Sequence, residues 1–82
     1  MPFSDYKVAL VTGASAGMGE AIVERLCQEG ITVHAVARRE EPLLALAART
    51  GCIPHVADVG NLPALTELCR NLQVDILVNN AG

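Results

Sequence analysis

The feature that most constrains this chain is the stretch from Val8 to Gly19, VALVTGASAGMG. It begins with an apolar, β-branched run of the kind found in buried parallel strands, and the run leads into closely spaced glycines. From Met18 onward the apolar residues recur at helical spacing, which predicts an amphipathic helix. A strand, a glycine turn and a helix N-terminus together direct backbone N–H groups at one point. An anion such as a pyrophosphate can bind there.

Each glycine of this turn has a predicted role. Gly13 allows a sharp turn off the strand, Gly17 leaves room for a ligand to approach the backbone, and Gly19 lets the helix pack closely on the strand. The spacing is G-x-x-x-G-x-G, and no Gly-Lys-Ser/Thr follows, so the stretch is not a P-loop. A glycine-rich connector without a ligand is the alternative.

Composition narrows the class of protein further. The chain has 82 residues, which suits one domain, and 51% of them are hydrophobic and 18% charged, as in folded proteins. The net charge is −3, and the basic residues are scattered except for Arg38-Arg39. The only aromatic residues are Phe3 and Tyr6. We therefore expect no nucleic-acid surface.

The cysteines and histidines do not form a metal-binding pattern. No two of the three cysteines, Cys27, Cys52 and Cys69, have the C-x-x-C spacing. The two histidines, His34 and His55, lie on separate predicted strands. We expect reduced thiols, a structural role for His34 and no metal site. No signal peptide is visible at the amino terminus, and no apolar run approaches the roughly 18 residues needed to span a membrane.

The remaining pattern predicts alternating strands and helices. Strands are predicted at about 7–12, 32–37, 53–57 and 74–78, and helices at about 18–29 and 41–50. A third helix is predicted after Asn61, its N-cap, with an apolar stripe that reaches Leu72. Met18 is expected on the apolar face of the first helix and Leu44 on that of the second, whose other apolar residues are Leu43, Leu46 and Ala47. Glycines end the first two helices, at Gly30 and Gly51.

This order predicts an α/β fold with a parallel sheet, strand order 3-2-1-4 and helices on both faces. Pro54 indicates that the third strand is at an edge, since proline cannot donate to a ladder. The carboxyl ends of the four strands then bring together Gly13, Arg38, Asp58 and Asn80. A ligand is expected there, at the switch point between strands one and four.

At this point the sequence resembles the short-chain dehydrogenase/reductase family. The matching motifs are T-G-x-x-x-G-x-G at Thr12 to Gly19, D-V at Asp58-Val59 and N-N-A-G at Asn79 to Gly82. The resemblance implies a Rossmann-type doubly wound sheet that is incomplete after strand four, with residues 1–82 as the amino-terminal part of the cofactor-binding domain.

The resemblance also implies a role for each motif. The glycine turn would hold the pyrophosphate, Asp58 would take the adenine amino group, and N-N-A-G would close under the adenosine ribose. Of the amides of Asn79 and Asn80, one is expected to bond the backbone of a neighbouring strand end and the other to face the cofactor. The alternatives are that Asp58 only caps a loop and that the asparagines are only turn residues. The predicted cofactor-binding residues are Gly13, Ser15, Ala16, Gly17, Met18, Gly19, Arg38, Arg39, Asp58, Val59, Asn80, Ala81 and Gly82.

The end of the second strand indicates which nicotinamide cofactor is used. NAD enzymes place a carboxylate there to bond the ribose 2′-hydroxyl. Here Ala37 occupies that place, Arg38 follows, and no acidic residue comes before Glu40. A guanidinium can bind a 2′-phosphate through paired, charge-assisted hydrogen bonds, which favours NADP(H) over NAD(H). Within the glycine turn, Ala16 stands where many NADP(H)-preferring members of the family have a basic residue.

The catalytic residues of the family are not found in this chain. In the family a Ser, a Tyr-x-x-x-Lys and a further Asn follow N-N-A-G, whereas the only tyrosine here is Tyr6. The resemblance therefore implies the amino-terminal part of an NADP(H)-dependent oxidoreductase that acts on a small carbonyl or alcohol substrate. We expect the complete subunit to be a cytoplasmic homo-oligomer and the 82-residue chain alone to be inactive. The alternative is a non-catalytic nucleotide-binding fragment or sensor.

Overall fold

In a computed structural model, the part of the chain that the structure describes forms four strands and three helices that alternate along the sequence. The structure describes residues 7–14, 17–57 and 62–79. The elements are β1 (Val8–Thr12), α1 (Gly17–Gln28), β2 (Thr32–Ala37), α2 (Glu40–Thr50), β3 (Ile53–Val56), α3 (Leu62–Leu72) and β4 (Ile76–Asn79). The predicted order of elements is confirmed, and the bounds of β2 match the prediction.

The strands form one parallel sheet in the order β3-β2-β1-β4, as predicted. Thr12 is paired with both Val36 and Asn79, so β1, β2 and β4 end close to one level. Pro54 lies in β3, which is an edge strand, and its missing N–H therefore costs no bond to a further strand.

The two faces of the sheet are covered by different helices. Helices α1 and α2 pack on the face that carries Ala9 and Val11, and α3 packs on the face that carries Leu10. This division follows from the alternation of side chains along a strand. The α1–α2 side buries Val23, Leu43 and Leu46 among others, whereas the cluster under α3 consists of Leu10, Val36 and Leu65 with partly buried neighbours.

The start of β4 differs from the prediction, because the chain is still closing α3 at that point. The N–H of Val74 donates to the carbonyl of Cys69 at 3.1 Å, and Gln73 has a left-handed φ of 55°. Asp75 follows and bonds Val8 twice, since its N–H donates to the Val8 carbonyl at 2.8 Å and its carboxylate accepts from the Val8 N–H at 2.9 Å. The ladder of β4 therefore begins at Ile76.

Two predicted core residues are exposed. Met18, in the first turn of α1, is 70% exposed. Leu44 is 48% exposed, because consecutive helical residues are turned by about 100° and α2 directs Leu43 and Leu46 into the core instead. Among the described residues, no helix is long and apolar enough to cross a membrane.

Candidate cofactor-binding site

The turn between β1 and α1 has the geometry that its glycines predict. Gly13 and Gly17 have left-handed φ values of 62° and 46°, which residues other than glycine rarely adopt. A Cβ atom placed on Gly17 would meet no other atom within 4 Å. The backbone there borders open space at the N-terminus of α1, whose first N–H groups have no partner within the helix. Gly19 is buried, as close packing of the helix on the sheet requires.

Backbone hydrogen bonds fix this turn against the end of β2. The N–H of Ala14 donates to the carbonyl of Val36 at 3.2 Å, and the N–H of Ala57 donates to the carbonyl of Ala37 at 3.0 Å. The ends of β1, β2 and β3 are thus connected in series by main-chain bonds. The glycine turn and Arg38, which follows Ala37, lie at the same edge of the sheet.

The end of β2 presents positive charge without a carboxylate of its own. Ala37 is only 4% exposed, while Arg38 and Arg39 are both exposed. Within residues 7–14, 17–57 and 62–79, neither guanidinium has an ion-pair partner. Both are therefore available to an anion from solution.

The N-terminus of α2 lies beside these arginines and contributes charges of both signs. Arg39 occupies the N-cap position with extended backbone, and its side chain does not cap the helix. The free N–H groups of the first turn favour an anion, whereas the carboxylates of Glu40 and Glu41 in the same turn oppose one. The two guanidinium charges equal the two carboxylate charges in number, and the partial positive charge of the helix end adds to the positive side.

A side-chain hydrogen bond connects the ends of β1 and β4. The hydroxyl of Thr12, which is fully buried, donates to the amide oxygen of Asn79 at 3.0 Å and lies 3.4 Å from the carbonyl of Val78. The sequence predicts that one of the two asparagine amides bonds a neighbouring backbone; the structure shows the amide oxygen of Asn79 bonded to a hydroxyl, and Asn80 lies outside the described residues. Thr12 was not predicted as a site residue, although a hydroxyl at the end of a buried strand is a signal for such a contact.

Several predicted site residues lie outside the described residues, and their roles stay predictions. They are Ser15, Ala16, Asp58, Val59, Asn80, Ala81 and Gly82. Asp58 follows Ala57, the residue whose N–H is bonded to the end of β2. No group of three His, Cys, Asp or Glu residues that could hold a metal ion is present in the part of the chain that the structure describes.

Comparison with known proteins identifies the family to which this chain belongs. The sequence model of the short chain dehydrogenase family matches residues 7–82. The chain therefore belongs to that family. The sheet and helices are accordingly those of a Rossmann-type fold.

Particular relatives show how much of such a protein this chain represents. It is 40% identical over 81 residues to an uncharacterized short-chain type dehydrogenase/reductase of Sinorhizobium fredii, covering 99% of this chain and 33% of the relative. It is 44% identical over 82 residues to the NADP-dependent 3-hydroxy acid dehydrogenase YdfG of Escherichia coli, covering 92% of this chain and 33% of that protein. The chain thus spans about a third of the length of these curated relatives.

Solved structures agree with the fold. Actinorhodin polyketide ketoreductase with NADPH superposes with a TM-score of 0.83 at 37% identity, covering 100% of this chain and 35% of that one. The RhlG/NADP complex of Pseudomonas aeruginosa gives a TM-score of 0.79 at 35% identity, covering 94% of this chain and 35% of that one.

Proposed function

We propose that this chain is the NADP(H)-binding part of an oxidoreductase that transfers a hydride between nicotinamide and a small carbonyl or alcohol substrate. The observation that carries the proposal is the pair of left-handed glycines Gly13 and Gly17, with open space in front of Gly17, beside Arg38 and Arg39, which are exposed and have no ion-pair partner among the described residues. The names of two relatives support it, since one is an NADP-dependent dehydrogenase and one a ketoreductase with NADPH.

The glycine turn fits a pyrophosphate. The free N–H groups at the start of α1 supply donors, and the helix end supplies a positive potential. Gly17 has no side chain where the cofactor backbone would approach, and the space in front of it is open. Gly13, Ser15, Ala16, Met18 and Gly19 would complete this part of the site.

The end of β2 fits a 2′-phosphate. Arg38 would bind the phosphate through paired hydrogen bonds, with Arg39 as a second cation. Ala37 leaves the position of the NAD-type carboxylate without charge, so a phosphate would meet no repulsion from that residue. We therefore propose NADP(H) as the cofactor in preference to NAD(H).

The adenosine half of the cofactor would be held by residues beyond β3 and β4. Asp58, with Val59, would accept a hydrogen bond from the adenine amino group, and Asn80, Ala81 and Gly82 would lie under the ribose. The Thr12–Asn79 hydrogen bond positions the start of this last segment, because it fixes the end of β4 to the end of β1. Thr12 is thus a positioning residue in this proposal.

The chemistry of the reaction belongs to the cofactor and to the remainder of the protein. Bound NADP(H) supplies or accepts the hydride. The residues of this chain would bind the cofactor and orient it, while the general acid or base would come from outside the 82 residues, as the family's Tyr-x-x-x-Lys does. The substrate class follows from the family.

The test uses the complete subunit and the substitution Ala37→Asp. A carboxylate at this position should bond the ribose hydroxyls of NADH and repel the 2′-phosphate of NADPH, so the preference changes through repulsion as well as attraction. The dissociation constants of both cofactors, measured by fluorescence titration, should shift in opposite directions. Ala35→Ser, at a buried position in the middle of the same strand, is the control and should leave their ratio unchanged.

Two results would count against the proposal in different ways. An unchanged ratio in Ala37→Asp would show that the end of β2 does not choose the cofactor. Tight NADPH binding without turnover of any simple carbonyl or alcohol by the complete subunit would instead support a nucleotide sensor.

A further inference from the structure

Two histidines on neighbouring strands contact each other on the α3 side of the sheet. His34 Nδ1 lies 2.9 Å from His55 Nε2, and the ring centroids are 5.1 Å apart. The register explains the contact, because His34 is paired with Ile53 and His55 with Val36, so the two rings are diagonal neighbours on one face. His34 is only 7% exposed.

This contact requires a particular number of protons. A hydrogen bond between two imidazole nitrogens needs one hydrogen between them, so one ring donates and the other accepts. The first added proton can bind the nitrogen of the donor ring that lies outside the contact, and the hydrogen bond then stays intact. A second proton makes both rings imidazolium ions, and two N–H groups would then face each other at the distance of a hydrogen bond.

The surroundings of the pair provide no carboxylate to balance this charge. On the same face β1 contributes Leu10 and Thr12, neither of which ionises in the accessible range. Helix α3 contributes leucines and the partly buried thiol of Cys69, while Glu67 and Arg70 are exposed on it. This account covers the described residues of the elements on this face, including β4, whose residues Leu77 and Asn79 are uncharged. The charged residues of α1 and α2 lie on helices that pack on the opposite face.

The strand that carries His55, β3, is short and buries little apolar surface. β3 has four residues, lies at the sheet edge and includes Pro54, which has no N–H. Ile53 and Val56 are 42% and 53% exposed, so they contribute less burial than core residues. Segments with few buried apolar contacts open at lower free energy than the rest of a protein. Among the described residues, the His34–His55 bond is the one side-chain hydrogen bond that adds to the backbone pairing of β3 with β2 and to its packing against α2.

We propose that His34 and His55 form a pH-sensitive clamp that holds β3 on the sheet and releases it when both rings are protonated. Burial lowers the pKa of both rings from the ordinary value of 6.5, and the neighbouring His55 lowers the pKa of His34 further. Below about pH 6.5 the open form therefore binds more protons than the closed form, and the clamp weakens as the pH falls. Above that pH its contribution is complete.

The clamp has a consequence for the cofactor that rests on the proposed function. β3 leads through Ala57 to Asp58, the proposed adenine contact. Release of β3 would remove that contact, so NADPH affinity should decrease in mild acid. The release itself does not depend on cofactor binding and is tested without it.

The experiment measures hydrogen exchange of the β2 and β3 amides in the complete subunit, without cofactor, at about pH 7.5 and about pH 5.5. The variant is His34→Asn with His55→Gln, because the Asn and Gln amides reach the places of Nδ1 and Nε2 and can keep the bond without titrating. Protection is corrected for the intrinsic exchange rate at each pH. In the parent, protection of β3 should fall between the two pH values by up to about tenfold for each ring, because pH 5.5 lies one unit below the ordinary pKa of 6.5.

The internal control is α1, which packs against β1 and β2 on the opposite face and should keep its protection in both proteins. An equal loss of β3 protection in parent and variant would overturn the proposal. If the variant does not fold, NMR titration of the parent rings decides the question: perturbed, mutually dependent titration supports the clamp, and independent titration at the ordinary value contradicts it. In His55→Gln alone, the pKa of His34 should rise towards that value, since a like charge is removed.

Discussion

Left-handed glycines occur at both ends of the sheet, and they serve different purposes. At the amino end Gly30 and Gly51 close helices: their N–H groups donate to the carbonyls of Cys27 and Ala47 at 3.0 and 2.8 Å. At the carboxyl end Gly13 and Gly17 lead into a helix, and the space in front of Gly17 is open.

The difference is whether the glycine follows a helix or precedes one. A glycine after a helix satisfies carbonyl groups of the last turn internally, as in αL caps. A glycine turn before a helix leaves the N–H groups of the first turn available. The same backbone conformation therefore closes helix ends at one edge of the sheet and, at the other, precedes a helix whose first N–H groups have no partner within the helix.

The largest effect is expected for Arg38→Ala at the carboxyl end. A hydrogen bond to a charged partner contributes roughly 1.5–3 kcal/mol, so NADPH binding to the complete subunit should weaken by roughly tenfold to a hundredfold. NADH should change little, because it has no 2′-phosphate. Arg25→Ala is the control, since Arg25 lies late in α1 and pairs with Glu29 at 3.1 Å. If Arg38→Ala leaves the ratio of the two dissociation constants unchanged, Arg39 or Ser15 is the next candidate for the phosphate contact.

A smaller effect, on stability alone, is expected for Thr50→Val at the amino end. The Thr50 hydroxyl donates to the carbonyl of Leu46 at 2.8 Å and accepts from the N–H of Cys52 at 3.2 Å. Loss of both bonds leaves the N–H of buried Cys52 without this partner, so the free energy of unfolding should fall by about 1–2 kcal/mol. Urea denaturation of the complete subunit measures it, with exposed Thr66→Val on α3 as the control. A change in NADPH affinity of similar size would contradict the separation of the two ends.

The smallest effect is expected for Glu40→Gln in the first turn of α2. Removing a carboxylate near the proposed phosphate should tighten NADPH binding by about two- to threefold, within the range of charge effects at a helix end. NADH should not respond, and added salt should reduce the gain through screening. Glu67→Gln, exposed on α3, is the matched control. Equal tightening by both substitutions would indicate a general effect of net charge.

Much of this architecture could be predicted from the sequence, because local signals and global topology agree. Three local signals agree with the fold: the period change at Met18 indicates a helix start, the glycines after the first two helices indicate helix ends, and Pro54 indicates an edge strand. Together they agree with the strand order 3-2-1-4. The convergence of the glycine turn and Arg38 at one edge follows from that order alone.

The details that could not be predicted depend on register or on where a helix ends relative to the sheet. The His34–His55 contact requires the pairing of His34 with Ile53, which no local pattern reveals. Periodicity placed Met18 and Leu44 on apolar faces, yet both are exposed, because a periodic pattern does not show which part of a helix face meets the sheet. The partner of Asn79 likewise depends on the register of β1 with β4.

The central claim is that the open glycine turn binds the pyrophosphate of the cofactor. Gly17→Ala and Gly51→Ala form a matched pair, since both glycines have left-handed φ values, 46° and 84°, and a Cβ at either position meets nothing within 4 Å. Backbone strain should cost each variant about 1–2 kcal/mol of stability. Only Gly17→Ala adds a methyl group where the cofactor would approach.

The decisive measurement is the dissociation constant of NADPH for the two folded variants of the complete subunit, by calorimetry. We predict that Gly17→Ala weakens both NADPH and NADH by at least about tenfold, or about 1.4 kcal/mol, because the two share the pyrophosphate, and that Gly51→Ala leaves both unchanged. Equal affinities in Gly17→Ala, Gly51→Ala and the parent would contradict the account.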